Sequence, residues 1–256
     1  MNRLAEATAS KVPEVALGFW IIKILATTLG ETGGDTVSMT MDLGYLIGTA
    51  IFLSILVVLV VLQIAAKTFR PFLYWATIVA STTVGTTMAD FADRSLGIGY
   101  LGGASILFVS LMAVLAIWYW SQGSVSVDTV STPKVEVFYW TAITVSQTLG
   151  TALGDWVADA GLGYEGGALL FGAALALVAA AYFWTNLSRV LLFWAAFILT
   201  RPLGATVGDF LDKPLDQGGL ALSRPIATAV LAAVIIGCIL LILQRAGSHP
   251  GESKAA

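Results

Sequence analysis

Apolar residues in this chain run in blocks too continuous for alternating strands and too long for ordinary surface helices. Four blocks, 43–66, 96–120, 166–187 and 225–243, reach the ~20 apolar residues that a helix needs to cross a hydrocarbon core. Between them lie 14–34, 72–92, 136–156 and 189–209, apolar at first and increasingly polar toward their C-terminal ends. The pattern predicts an all-α membrane protein with eight transmembrane helices. Continuous rather than alternating runs exclude a membrane barrel. The first apolar stretch of the chain, within 14–34, is long and no small-residue cleavage site follows it, so it reads as a span and not as a signal peptide.

The polar ends repeat. Trp20, Trp75, Trp140 and Trp194 are each followed ten residues later by Gly30, Gly85, Gly150 and Gly204, and five further on by Asp35, Asp90, Asp155 and Asp209. Gly44-Tyr45, Gly99-Tyr100 and Gly163-Tyr164 follow three of these, and the fourth unit keeps only Gly218-Gly219. Successive units start 55, 65 and 54 residues apart. A single membrane domain of four helical hairpins is expected, with repeats at 14–66, 72–120, 136–187 and 189–246 and a linker at 121–135 between the halves. Each unit is two spans long, so all four point the same way, related by pseudo-symmetry about the membrane normal.

These tandem two-helix units, each with its characteristic Trp, resemble a bacterial integral membrane protein family described only as a repeat of unknown function. The resemblance covers about residues 15–245. It implies a bacterial inner-membrane location and a fourfold repeat, and it brings no activity with it.

Charge sets the orientation. Arg3, Lys11, Lys67, Arg70, Lys134, Arg189, Arg245 and Lys254 fall on the side of the termini, against Arg94, Lys213 and Arg224 opposite. This bias predicts cytoplasmic termini. Eleven of the sixteen acidic residues gather near the other helix ends, which the rule for Lys and Arg does not explain. Hydrophobic residues make up 57% and charged residues 11%, with mean hydropathy +0.86 and net charge −3. No basic stripe exists to bind nucleic acid. One cysteine, Cys238, and one histidine, His249 in the polar tail, argue against a disulfide framework, a zinc site or a His-based enzyme. No Gly-Lys-Ser/Thr loop is present for ATP. Enzymatic activity is not expected, although Asp90 and Asp93 could position a catalytic metal.

What remains is the polar tail of each odd helix. Asp35, Asp90, Asp155 and Asp209 are expected at one depth, with Thr27, Thr82, Gln147 and Arg201 eight residues earlier. Like charges ~4 Å apart repel by about 4 kcal/mol even at an effective dielectric of 20. Such a ring needs a cation, protons, or basic partners. Carboxylates, hydroxyls and carbonyls without Cys or His suit a hard ion such as Mn²⁺, Mg²⁺ or Ca²⁺. Met39, Met41 and Met88 nearby would tilt the choice toward Mn²⁺ if any of them were a ligand. Three residues break the repeat: Lys23 replaces Ile78, Ile143 and Phe197, Arg201 replaces Thr or Gln, and Glu31 replaces Thr86, Thr151 and Ala205. An Arg201–Glu31 pair across the axis is expected, leaving Asp90 and Asp155 to hold the ion. Lys23 is expected either to snorkel toward Glu14 or to couple transport, and Glu31 to exchange protons.

The expected function is an exporter or proton-coupled antiporter of a divalent, Mn²⁺-like cation, with no cofactor beyond that cation. Its partners are the lipid bilayer and the small cation, with a homo-oligomer left open. The alternatives are a channel or carrier for another small solute, with Arg201 holding an anion, and a membrane scaffold or sensor without transport.

Overall fold

A computed structural model describes residues 10–247 of the 256. Arg3, Lys254 and His249 lie outside the described residues. Among the described residues eight α-helices follow one another: α1 Leu17–Asp35, α2 Gly44–Ala65, α3 Pro71–Asp90, α4 Tyr100–Gln122, α5 Pro133–Val157, α6 Gly163–Trp184, α7 Arg189–Asp212 and α8 Arg224–Leu241. Five helical stretches are long and apolar enough to cross a membrane, one of them running through α5 and α6 together. The polar second halves of α1 and α3 keep those two helices out of the set. Prolines at the first turns of α3, α5 and α8 start helices where a missing N–H costs nothing. Gly123, at φ 76°, closes α4 in the left-handed conformation.

Burial separates the two helix classes. In α1 every residue from Ala26 to Asp35 is buried, and α3, α5 and α7 are similarly enclosed toward their Asp ends. The even helices bury single stripes: Gly48, Leu56 and Gln63 on α2, and Ala104, Leu111 and Trp118 on α4. Their other faces expose Leu, Ile, Val and Phe, as apolar surface facing lipid would. The odd helices therefore carry the polar residues because neighbouring protein, and not hydrocarbon, surrounds them.

Contacts close the odd helices into a ring: α1 packs on α3, α3 on α5, α5 on α7 and α7 back on α1. Each even helix lies against the odd helix of the next unit, α2 on α3, α4 on α5, α6 on α7, and α8 returning to α1. Glycines make the ring this tight. A Cβ on Gly85 would lie 2.8 Å from the backbone carbon of Gln147, and Gly30, Gly150 and Gly204 meet Thr82, Arg201 and Thr27 in the same way. One turn further along, Gly34 faces Thr86, Gly154 faces Ala205 and Gly208 faces Glu31. Both layers advance together, so the four odd helices run parallel.

The chain between the halves is no free linker. Residues 121–122 finish α4, Val127–Thr129 form a short 3₁₀ turn, and Val127 and Val130 are buried. The Ser10 hydroxyl donates to the Val127 carbonyl at 2.7 Å, the Lys11 N–H to Val130 at 2.7 Å, and the Gly247 N–H to Val12 at 2.8 Å. Both terminal segments and the mid-chain linker thus knit together over the Trp end of the ring, where the Lys11 ammonium bonds buried Glu136 at 2.6 Å.

Candidate functional site

From the Trp end to the Asp end, the ring interior is a stack of layers. First come aromatics: Tyr74 and Tyr139 share a hydroxyl–hydroxyl bond of 2.6 Å, and Phe19, Trp75, Trp140 and Trp194 are buried around them. The repeated Trp residues fill helix contacts, with the indole N–H of Trp75 on Gln244 and that of Trp194 on the Val125 carbonyl. Next is Lys23, fully buried. Its ammonium donates to Gln147 Oε1 at 3.4 Å and lies 4.2 Å from the centre of the Phe197 ring. It therefore points across the ring and does not snorkel toward Glu14.

Above Lys23, Arg201 crosses the ring. Its Nη2 reaches Glu31 Oε2 at 2.9 Å, Thr86 Oγ1 at 2.6 Å and Thr151 Oγ1 at 2.5 Å. One guanidinium thus engages all three polar residues of the Glu31 layer, the fourth member being Ala205. In the layer below, Thr27 and Thr82 lie in the glycine seams. The Thr27 hydroxyl is bonded to the Ile24 and Thr200 carbonyls, and the Thr82 hydroxyl has no partner among the described residues.

The four aspartates are buried at the far end, and of the cation, protons or basic partners expected to relieve them, the described residues supply basic partners. Lys213 Nζ pairs with Asp35 and, at 2.9 Å, with Asp209 Oδ1; Arg94 Nε pairs with Asp90 at 2.8 Å, and its Nη2 stands 3.9 Å from Asp155. Arg224 Nε adds Asp212 at 3.2 Å and Asp35 at 3.8 Å. Asp90 and Asp155 are accordingly bridged by a side chain and not left as a vacant pair. Carboxylate oxygens converge to within 4.8 Å in two groups, Glu31/Asp35/Asp90 and Asp35/Asp209/Asp212, and Asp155 joins neither. The four aspartates do not form one ligand set.

Local sequence explains the bridging. Arg94 and Lys213 each lie four residues after their own aspartate, one helical turn on, where the other two units have Met39 and Asp159. A π-helical turn, Phe91–Ser95, carries Arg94, and comparable turns at Thr36–Thr40 and Ala158–Leu162 follow α1 and α5. Burial pushes the Lys213 pKa down, but Asp209, Asp35 and Asp212 outweigh it and hold the pKa above the ordinary lysine range. In the linked network six carboxylates (Glu31, Asp35, Asp90, Asp155, Asp209 and Asp212) face four cations (Arg94, Arg201, Lys213 and Arg224). Counted over groups joined by ion pairs or converging carboxylates, and so without Lys23, which has no carboxylate partner among the described residues, six negative charges stand against four positive ones when all are ionised.

The model of a family described as Repeat of Unknown Function (DUF347) matches four times, at 18–69, 73–124, 138–188 and 192–247. The chain belongs to this repeat family. No curated protein and no solved structure matches it. Each DUF347 repeat contributes one ring helix and one outer helix, and the site lies where four repeat copies meet. Beside the four repeated aspartates, the site draws on charged residues that do not recur in all four units: Lys23, Glu31, Arg94, Arg201, Lys213 and Arg224. In the sequence pattern Arg94, Lys213 and Arg224 stand out only as the basic residues on the side opposite the termini. Their spacing of four from Asp90 and Asp209, and of twelve from Asp212 for Arg224, was the available signal only for the first two.

Proposed function

We propose that this protein is a multi-pass transporter exchanging one hard divalent cation, Mn²⁺-like, for two protons. All eight helices cross the bilayer, the four repeats are related by an axis along the membrane normal, and the Trp end faces the cytoplasm of a bacterial inner membrane. The observation carrying this reading is the charge excess. Two uncompensated negative charges in a buried network are balanced by one divalent cation or by two protons, so each cargo can replace the other without leaving net charge in low dielectric.

Glu31, Asp35 and Asp90 supply the oxygens, and each also holds a tethered cation, Arg201, Lys213 and Arg94 respectively. Lys213 is the mobile competitor, since it lies beyond the last residue of α7 and shares its charge between two carboxylates. When the divalent ion binds, Lys213 shifts toward Asp209 and Asp212. When the ion leaves, Lys213 returns and lowers the cost of the empty state. Glu31, midway between Arg201 and the aspartates, takes up one of the two coupling protons, and Asp35 or Asp90 of the same oxygen group takes up the other. Arg201 is committed to Glu31, which disfavours an anion as cargo.

The experiment is flux in proteoliposomes with internal pH and metal indicators. The expected result is Mn²⁺ movement driven by a proton gradient, two protons per ion, insensitive to membrane potential and lost in Asp35→Asn and Asp90→Asn. Absence of proton countermovement, or flux surviving both substitutions, overturns the proposal.

A further inference from the structure

Away from the charged layers, a cavity of about 690 Å³ opens between the first turns of α1, the end of α6 and the start of α7. Its size falls in the roughly 300–1,000 Å³ range of small-molecule sites. The walls are apolar, with Ile24, Leu175 and Val178 deep, and Phe183 and Val190 nearer the Trp end. Ser126, Asp128 and Arg189 lie at that end, on the linker and at the first residue of α7, together with Tyr182. An apolar shaft with a charged rim has the shape of an amphiphile, and the rim carries both signs.

We propose that this cavity binds one phospholipid whose headgroup bears a phosphate and a primary ammonium, the phosphatidylethanolamine class. Arg189 is held at the rim by donating to the Tyr182 carbonyl, with its guanidinium 4.2 Å from the centre of the Tyr182 ring. That uses one of five donors, and the rest suit a phosphodiester. The Asp128 carboxylate accepts from the Ser126 hydroxyl at 3.1 Å through Oδ2, and among the described residues no donor is paired with Oδ1, the oxygen offered to an ammonium. A lipid carrying only negative charge would meet Asp128 as a repulsion, and a choline headgroup has no N–H to give it. One of the two acyl chains lies against Trp20 and Phe193, whose rings pack 5.8 Å apart at the seam between α1 and α7, and the other stays in the bilayer. That seam joins the first repeat to the last, so the lipid braces the closure of the ring.

Purified protein in detergent, titrated with dioleoyl phosphatidylethanolamine, phosphatidylcholine or phosphatidylglycerol, tests the assignment through melting temperature, because a ligand of the folded state raises it saturably. Phosphatidylethanolamine should saturate at the lowest concentration. Asp128→Asn should abolish its advantage over phosphatidylcholine, and Arg189→Gln should weaken binding of all three by about tenfold. Should Arg189→Gln fail to fold, the lipid ratio in Asp128→Asn alone decides. Equal, unsaturable stabilisation by the three lipids, or an unchanged ratio in Asp128→Asn, overturns the proposal. Neither residue belongs to the carboxylate network, so the transport reading stands or falls separately.

Discussion

Glu31→Gln removes one charge from the centre of the ring while keeping the side-chain volume. Its partner Arg201 is fully buried and Glu31 nearly so, with 2.9 Å between Nη2 and Oε2. At an effective dielectric of 20 that separation corresponds to about 6 kcal/mol of attraction. Part of it offsets desolvation, and breaking one side of such a pair costs about 3–5 kcal/mol because the other charge stays buried and alone. For a chain of this length each kcal/mol moves the midpoint by roughly 2–4 °C, so Glu31→Gln should melt about 6–20 °C lower. Arg201→Met should cost a comparable amount. Thr86 and Thr151 would not be orphaned by it, since both hydroxyls also bond backbone carbonyls. The double variant should recover most of the loss, because removing both charges removes the unpaired one. Intrinsic fluorescence from the eight tryptophans reports the midpoint in detergent. Single variants within about 1 kcal/mol of the parent, or a double variant additive to within about 0.5 kcal/mol, would refute the view that this pair is a coupled buried unit.

Other outcomes follow from the same geometry. Gly85→Ala should destabilise by about 1–3 kcal/mol, since its Cβ meets backbone of α5. Gly237→Ala, with open space around it on α8, should be neutral or stabilise by roughly 0.5–1 kcal/mol, and thermal melts of the two would compare them. Lys213→Gln should tighten divalent binding by calorimetry and slow turnover, because the competing ammonium is gone. Asp155→Asn should retain more transport than Asp90→Asn in liposome flux, as Asp155 stands outside both converging oxygen groups. Lys213 should stay charged well above pH 10, the ordinary lysine pKa being ~10.4. Because its folded pKa is raised, its contribution to stability is complete below that value and is lost only as pH climbs through the folded one. Alkaline melts up to pH 10 should therefore show no loss that Lys213→Gln removes.

Helix existence was legible because the bilayer demands length and apolarity, and the bounds of the eight expected segments fall within a few residues of α1–α8. The repeat was legible because Trp, Gly and Asp recur in register. Which helices face inward was not, since the even helices are the more apolar and a soluble-protein habit would bury them; in lipid that preference reverses. Glu31–Arg201 could be inferred from neighbouring layers in different units. The pairing of Lys213 with Asp35 could not, because it depends on the last unit returning to the first. Lys213, Arg94 and Arg224 stand against the aspartates whose mutual repulsion the spacing implies, and their reach to Asp35 and Asp155 depends on contacts between units that no single repeat contains.

Ring closure also has a consequence for biogenesis. Asp35 and Lys213 are 178 residues apart, and Thr27 and the Thr200 carbonyl 173. A ribosome inserting this chain from its N-terminus must therefore leave the first hairpin with a bare carboxylate, and its inner helix without a flanking neighbour, until the final hairpin arrives. During that interval something else has to shelter α1, whether the translocation machinery, a neighbouring nascent chain or a proton on Asp35.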